Sequence, residues 1–171
     1  MNQKLKSFLG LLAGSALLTG LDQWTKLLAV EHLKDSTPLV IWDGVFELLY
    51  SENRGAAFGM LQGKQGFFLV VAACVFAAVL YAFWKMPADR RYLPLKVCLV
   101  SITAGAAGNL IDRVAQGYVV DFLYFKLIDF PIFNVADCYV TAATAVLFVL
   151  MMLYYTDEEL EVFRFRRKEQ A

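Results

Sequence analysis

Histidine is almost absent from this chain: His32 is the only one in 171 residues. Cysteine is nearly as scarce, with Cys74, Cys98 and Cys138 and no CxxC pair. So few soft ligands exclude an ordinary transition-metal centre. They also exclude a Ser-His or Cys-His nucleophile, because His32 stands alone in an acidic, polar stretch. The cysteines sit inside or beside apolar segments and read as buried, reduced thiols. Charge is thin too, at 19% of residues and a formal net of zero, so nothing suggests a nucleic-acid partner. What fills the chain is 59% hydrophobic residues, 15% of all residues being aromatic. Soluble domains carry about 45–50% apolar and about 25% charged residues, so lipid is the solvent that suits this composition. The length allows one domain, 1–171, and no repeat or low-complexity stretch divides it.

A membrane crossing needs about 20 mostly apolar residues. Four stretches meet that need, at about 7–30, 66–84, 95–113 and 135–155. Lys4 and Lys6 before the first could mark a cleavable signal peptide. No A-x-A-like site follows, however, and the run continues through Asp22 and Lys26, so an uncleaved helix is expected. Basic residues orient the spans, since short cytoplasmic loops retain Lys and Arg. Lys4 and Lys6, then Lys85, Arg90, Arg91 and Lys96, then Arg164, Arg166, Arg167 and Lys168 all fall on one side if four spans leave both termini in the cytoplasm. The first connection, 31–65, has three basic residues against five acids and faces out. Within it, apolar runs on either side of Asp43-Gly44 predict a β-hairpin at about 38–50 with a DG turn. Arg54-Gly55-Ala56-Ala57-Phe58-Gly59 reads as flexible or re-entrant chain, and 157–171 as a charged, partly helical tail. The fold expected is mainly α and integral to the membrane, with a small outer-face sheet.

On that topology the unusual polar residues converge on one side. Asp22 and Lys26 fall in the outer half of the first helix. Asn109, Asp112 and Arg113 end the third, Asn53 and Arg54 lie in the first outer connection, Asp121 follows the third helix, and Asp137 opens the fourth. Ionisable groups at membrane depth are costly and usually face a bundle interior or a water cavity, so this convergence marks a site. Several pairings have structural readings. Asp22 and Lys26 are spaced to pair, Asp112 and Arg113 could form a helix-end ion pair, and Asn53-Arg54 could be a turn. Asn134 with Asp137 three residues on fits a helix cap, which can coexist with catalysis. Ala104, Gly105, Ala107 and Gly108 read as a close-packing face. Asp121 and Asp137 have no cation beside them in sequence; brought together, they would share a proton and supply both base and acid for hydrolysis. A proton or solute transporter and a non-catalytic binder of lipidated precursors are the rival readings.

At these residues the chain closely resembles the bacterial lipoprotein signal peptidases, the type II signal peptidases. The matching blocks are Asp22-Gln23-Trp24-Thr25-Lys26, Asn53-Arg54-Gly55-Ala56-Ala57-Phe58-Gly59, Gly105-Ala106-Ala107-Gly108-Asn109-Leu110-Ile111-Asp112-Arg113, Val119-Val120-Asp121-Phe122 and Phe133-Asn134-Val135-Ala136-Asp137. The resemblance implies an aspartyl endopeptidase of the bacterial inner membrane, active at its outer face. It would cut diacylglyceryl-modified prolipoproteins just before the lipidated cysteine. Asp121 and Asp137 match the catalytic residues, and Asn53, Asn109, Arg113 and Asn134 match residues lining the substrate site. Asp22 and Asp112 match supporting residues, with Lys26 and Gly105 beside them. No metal or organic cofactor is implied; membrane lipid, inhibition by globomycin and a monomeric state are.

Overall fold

The computed structural model describes residues 3–55 and 63–163. In chain order the elements are α1 (Gln3–Leu33), β1 (Leu39–Trp42), β2 (Phe46–Asn53), α2 (Gln65–Lys85), α3 (Leu93–Gln116), β3 (Val119–Tyr124), α4 (Val135–Val149) and α5 (Asp157–Leu160). A single 3-10 turn, Arg90–Tyr92, leads into α3, and α4 runs on through a π turn, Leu150–Tyr154. Among the described residues, four helices are long and apolar enough to cross a membrane: Gln3–Leu33, Gln65–Lys85, Arg90–Gln116 and Val135–Tyr154. Each expected span lies inside one of these or within a residue of its end. The helices outrun the apolar runs because helical hydrogen bonding continues into the headgroup layer. At about 1.5 Å per residue, α1 is longer than a hydrocarbon core of about 30 Å.

Burial is the reverse of a soluble protein's. Leu17, Leu27, Phe148 and Leu153 are 74%, 67%, 66% and 84% exposed, while Asp22 and Asn134 are fully buried and Asp121 is 1% exposed. Large exposed apolar faces combined with a polar interior belong to helices whose outer solvent is lipid. The same reasoning corrects the expectation for the cysteines. All three are free, but only Cys98 is buried, because an apolar neighbourhood in a spanning helix includes its outward face.

The three strands form one antiparallel sheet in the order β1-β2-β3. The hairpin forms at Asp43-Gly44 as expected, closed by the Val45 N–H donating to Trp42 O at 2.9 Å. Two features go beyond the sequence reading: β2 extends to Asn53, and Asp121 lies in a strand, with Ser51 opposite Asp121 and Asn53 opposite Val119. Gly117, left-handed at φ 80°, ends α3 and turns the chain into β3. A bridge between Leu123 and Phe133 then folds the chain back, so α4 begins against the sheet. Val120 and Phe122 pack on Ala29 and Leu33 of α1, fixing the sheet over one end of the bundle. At the other end Leu11, Val79, Leu95, Leu99 and Tyr155 form a separate apolar core.

Of the predicted flexible or re-entrant segment, Arg54 and Gly55 are described, and the rest lies outside the described residues. The same is true of the tail beyond Phe163.

Candidate active site

The site is built where α1, α3, β3 and the first turn of α4 meet. α1 reaches α3 along a polar stripe: Ser15 donates to Val100 O at 3.3 Å and Thr19 to Ala104 O at 3.2 Å. One and two turns further on, that stripe presents Asp22, Gln23 and Lys26. On α3, Gly105 and Gly108 permit the approach. A Cβ on Gly105 would stand 2.5 Å from both Ala136 O and Val140 Cγ2, and one on Gly108 would collide with the Asp22 carboxylate. Only glycine lets α3 sit this close to its two neighbours.

Lys26 is the hub. It is 3% exposed, and its ammonium reaches Asp22 Oδ2 at 2.9 Å, Asp112 Oδ2 at 3.0 Å and Asn109 Oδ1 at 3.0 Å. Three donors meet three acceptors, which satisfies a buried ammonium in full. The Asp22–Lys26 pairing expected from spacing therefore forms, but the Asp112–Arg113 ion pair does not. Successive residues on a helix do not face each other, so Asp112 turns inward to Lys26 and Arg113 turns aside.

Asp22 and Asp112 each use a further oxygen contact to hold the backbone beside one of the two remaining aspartates. Asp22 Oδ1 accepts the Ala136 N–H at 2.9 Å, next to Asp137. That amide is one of the orphan donors at the start of α4, where negative charge is favourable. Asp112 Oδ2 accepts the Val120 N–H at 3.1 Å, next to Asp121. Gln23 ties the arrangement together, donating to Asp112 Oδ1 at 2.9 Å and Gly108 O at 3.2 Å.

Asp121 and Asp137 are joined through two asparagines. Asn134 Nδ2 donates to Asp121 Oδ1 at 2.6 Å and to Asn109 Oδ1 at 3.0 Å. Asn109 Nδ2 donates in turn to Asp137 Oδ1 at 2.7 Å. Asn134 is also the cap expected for α4: its Oδ1 accepts the Asp137 N–H at 3.0 Å, and Asp137 Oδ2 accepts the Asn134 N–H at 3.2 Å. Asn53 completes the surround from β2, donating to Asp121 Oδ2 at 2.9 Å. Its Oδ1 accepts the Gly55 N–H at 3.0 Å, so Asn53 both shapes the turn and touches Asp121. Burial, then the charge of Asp137, pushes the Asp121 carboxyl up from 3.8 to about 7, while the Asn53 and Asn134 hydrogen bonds and Lys26 pull against this.

The pair is asymmetric. Asp137 borders a cavity of about 650 Å³ whose walls include Asn53, Phe68, Arg113, Phe133 and Thr141, whereas Asp121 lies behind it in the sheet. Arg113 stretches along this cavity: it donates to Gly55 O at 3.1 Å and Asn109 O at 3.3 Å, and its carbon lies 4.3 Å from the Phe68 ring centre. Its buried Nε has no partner among the described residues. Arg54 is peripheral, paired at 2.9 Å with Glu52. Of the sequence candidates, Asn53, Asn109, Asn134, Asp121 and Asp137 come together; Asp22, Lys26 and Asp112 form the shell behind; Gly105 lies at the helix contact. Gln23 was the residue missed. Its signal was a polar side chain in an apolar span, on the stripe begun by Ser15 and Thr19.

Four spans capped by a small sheet, with a polar cluster enclosed at the capped end, define a multi-pass membrane protein with a carboxylate-centred site. The family profile of signal peptidase (SPase) II matches residues 15–153, and the chain belongs to that family. Curated relatives called lipoprotein signal peptidase include those of Caldanaerobacter subterraneus subsp. tengcongensis and Clostridioides difficile. The first is 44% identical over 80% of this chain and 92% of its own length. The second is 38% identical over 81% and 91%. Two solved bacterial membrane enzymes share the fold. One, determined by the in meso method at 2.3 Å resolution, has a TM-score of 0.74 and 27% identity over 95% of this chain and 94% of its own. The other, at 1.9 Å, has a TM-score of 0.72 and 29% identity over 85% and 94%.

Proposed function

We propose that Asp121 and Asp137 are the catalytic pair with which this signal peptidase removes the signal peptide from diacylglyceryl-modified prolipoproteins, cutting just before the lipidated cysteine. The observation that carries the reading is the linkage of two carboxylates through Asn134 and Asn109. One of them faces a cavity large enough for a peptide segment.

In the reactive form the pair shares one proton, carried by Asp121, and Asp137 is the carboxylate facing substrate. Asp137 takes a proton from water as the water oxygen bonds to the scissile carbonyl carbon, and Asp121 gives its proton to the carbonyl oxygen. The diol then collapses: the C–N bond breaks, Asp137 returns its proton to the leaving amine, and Asp121 recovers one from a diol hydroxyl. Asn109 and Asn134 keep both carboxylates in register through the exchange. Arg113, with a spare donor at the cavity wall, holds a substrate carbonyl or the lipid head. The diacylglyceryl chains lie in the bilayer beside α4.

The basic residues at the end opposite the aspartates support an inner-membrane orientation with the pair at the outer face. The buried core at that opposite end is apolar among the described residues, which disfavours a transporter. The enzyme works as a monomer, without metal or organic cofactor, and globomycin blocks it. The test is cleavage of a purified diacylated prolipoprotein by wild type, Asp121→Asn and Asp137→Asn, with globomycin as control. Loss in both folded variants is expected, and activity retained in both would overturn the dyad.

A further inference from the structure

A second concave region lies at the opposite end of the bundle, away from the aspartate pair and the residues that support it. A cavity of about 490 Å³ opens between the first turns of α1, the end of α2 and the start of α3, walled by Phe8, Leu80, Phe83 and Met86. Lys4 and Lys96 border it, and the Lys4 ammonium lies 5.6 Å from the Trp84 ring centre. Ser7, Phe83 and Lys96 are shared with an adjoining cavity of about 340 Å³ that follows α1 past Gly10 and Leu11 to Leu18. Lys96 forms no ion pair with any described residue.

We propose that this trough binds an anionic glycerophospholipid from the leaflet opposite the aspartates. Its phosphate sits between Lys4 and Lys96 within reach of the Ser7 hydroxyl, and one acyl chain lies along α1 toward Leu18. An ammonium at membrane depth must snorkel to water or find an anion, and basic pockets between spanning helices take anionic headgroups. Apart from Ser101 the remaining walls are apolar, which suits an acyl chain and not a free phosphate. The trough has the right length: Ser7 to Leu18 spans about 16 Å at about 1.5 Å per residue, close to half a hydrocarbon core of about 30 Å. Trp84, 75% exposed, stands at the rim where interfacial tryptophans collect.

The experiment is native mass spectrometry of the full chain released from nanodiscs containing equal phosphatidylglycerol and phosphatidylcholine. Wild type should retain phosphatidylglycerol with a preference on the order of tenfold, the scale set by two lysines near the membrane surface. The Lys4→Gln/Lys96→Gln variant should lose that preference, and Lys85→Gln/Arg90→Gln, which removes the same charge at the same end, should keep it. Gly10→Phe gives a test without altering charge. A Cβ there meets nothing within 4 Å, so the ring fills the groove, leaves the helices in place and displaces the chain. No preference in wild type, a preference unchanged in both the double variant and Gly10→Phe, or displacement of the lipid by inorganic phosphate alone would each overturn the proposal. The readout is lipid retention, so it stands or falls separately from the peptidase assay.

Discussion

Replacing Asp121 by Asn should abolish cleavage and at the same time make the protein relatively more stable above neutrality. The wild-type carboxyl is raised from 3.8 to about 7 by burial and by Asp137. The folded protein therefore holds a proton that the unfolded chain releases between those values. Where the folded state binds more protons, stability falls as pH rises, so it declines from about pH 4 to about pH 7 and is level above. At about 1.36 kcal/mol per pH unit, ionising buried Asp121 costs the fold about 4 kcal/mol in all, of which about 3 kcal/mol falls between pH 5 and pH 8. An amide cannot ionise and lacks that slope. It does leave one of two donors, Asn53 Nδ2 or Asn134 Nδ2, facing an NH₂ group, a loss of about 1–3 kcal/mol at any pH. The quantity to read is therefore the change in the variant-minus-wild-type difference between pH 5 and pH 8. For a chain of this size it should reach about 6–12 °C in favour of the variant at the higher pH. Thermal midpoints from tryptophan fluorescence in detergent at the two pH values measure it, alongside cleavage assays on the same samples. An equal shift at both pH values would mean that Asp121 carries no proton in this window, and the acid–base division of labour would fail.

Further tests fall on the surrounding residues. Cleavage by wild type should decline as pH rises through about 7, where Asp121 gives up its proton, and a kcat/KM profile flat from pH 6 to pH 9 would contradict this. Gly105→Ala should cost about 1–3 kcal/mol and most of the activity, because the new methyl drives α3 away from Ala136 and Val140; midpoint and turnover both report it, and full activity would show that the helix contact can relax. Gln23→Ala leaves Asp112 Oδ1 without its donor and should lower stability by about 1–3 kcal/mol, read as a lower thermal midpoint; an unchanged midpoint would remove Gln23 from the support. Arg113→Lys cannot reach Gly55 O and Asn109 O together while lying on Phe68, and should raise KM about tenfold, equivalent to about 1.4 kcal/mol, with little change in midpoint.

Much of this fold is legible in the sequence because a bilayer imposes simple demands. The charge-free run forming α2 has no soluble alternative of that length, and the DG turn between two apolar runs has few readings besides a hairpin. The polar residues could be assigned to one end of the bundle because each lies in a known span or in a connection whose side the spans fix. Residues whose direction depends on tertiary contacts were less legible. Asp121 sits in Val-Val-Asp-Phe-Leu-Tyr, a stretch too short and too uniformly apolar to separate strand from loop, and its strand exists because β2 is there to pair with it. Asp112 and Arg113 are adjacent in sequence yet act in different places, since the helix turns them apart. Gln23 escaped notice because its role depends on a neighbour, Asp112, presented by another helix.

The support behind the aspartate pair explains how a sheet strand and a helix start can hold two carboxylates in fixed relation. Asp121 and Asp137 belong to different elements, whose backbones meet at a bridge from Leu123 to Phe133. Left to that bridge, strand and helix could slide, and an acid and base displaced by an ångström lose much of their efficiency. Asp22 grips the backbone beside Asp137, Asp112 grips the backbone beside Asp121, and Lys26 holds both of these carboxylates at about 3 Å. The lysine thus binds the two halves of the site through their backbones, while Asn109, which also accepts from Lys26, binds them through the side-chain network. Removing the ammonium would leave two buried carboxylates uncompensated, at a cost of about 3–5 kcal/mol. A buried charge is therefore retained here for the geometry it fixes between Asp121 and Asp137, beyond any contribution to stability.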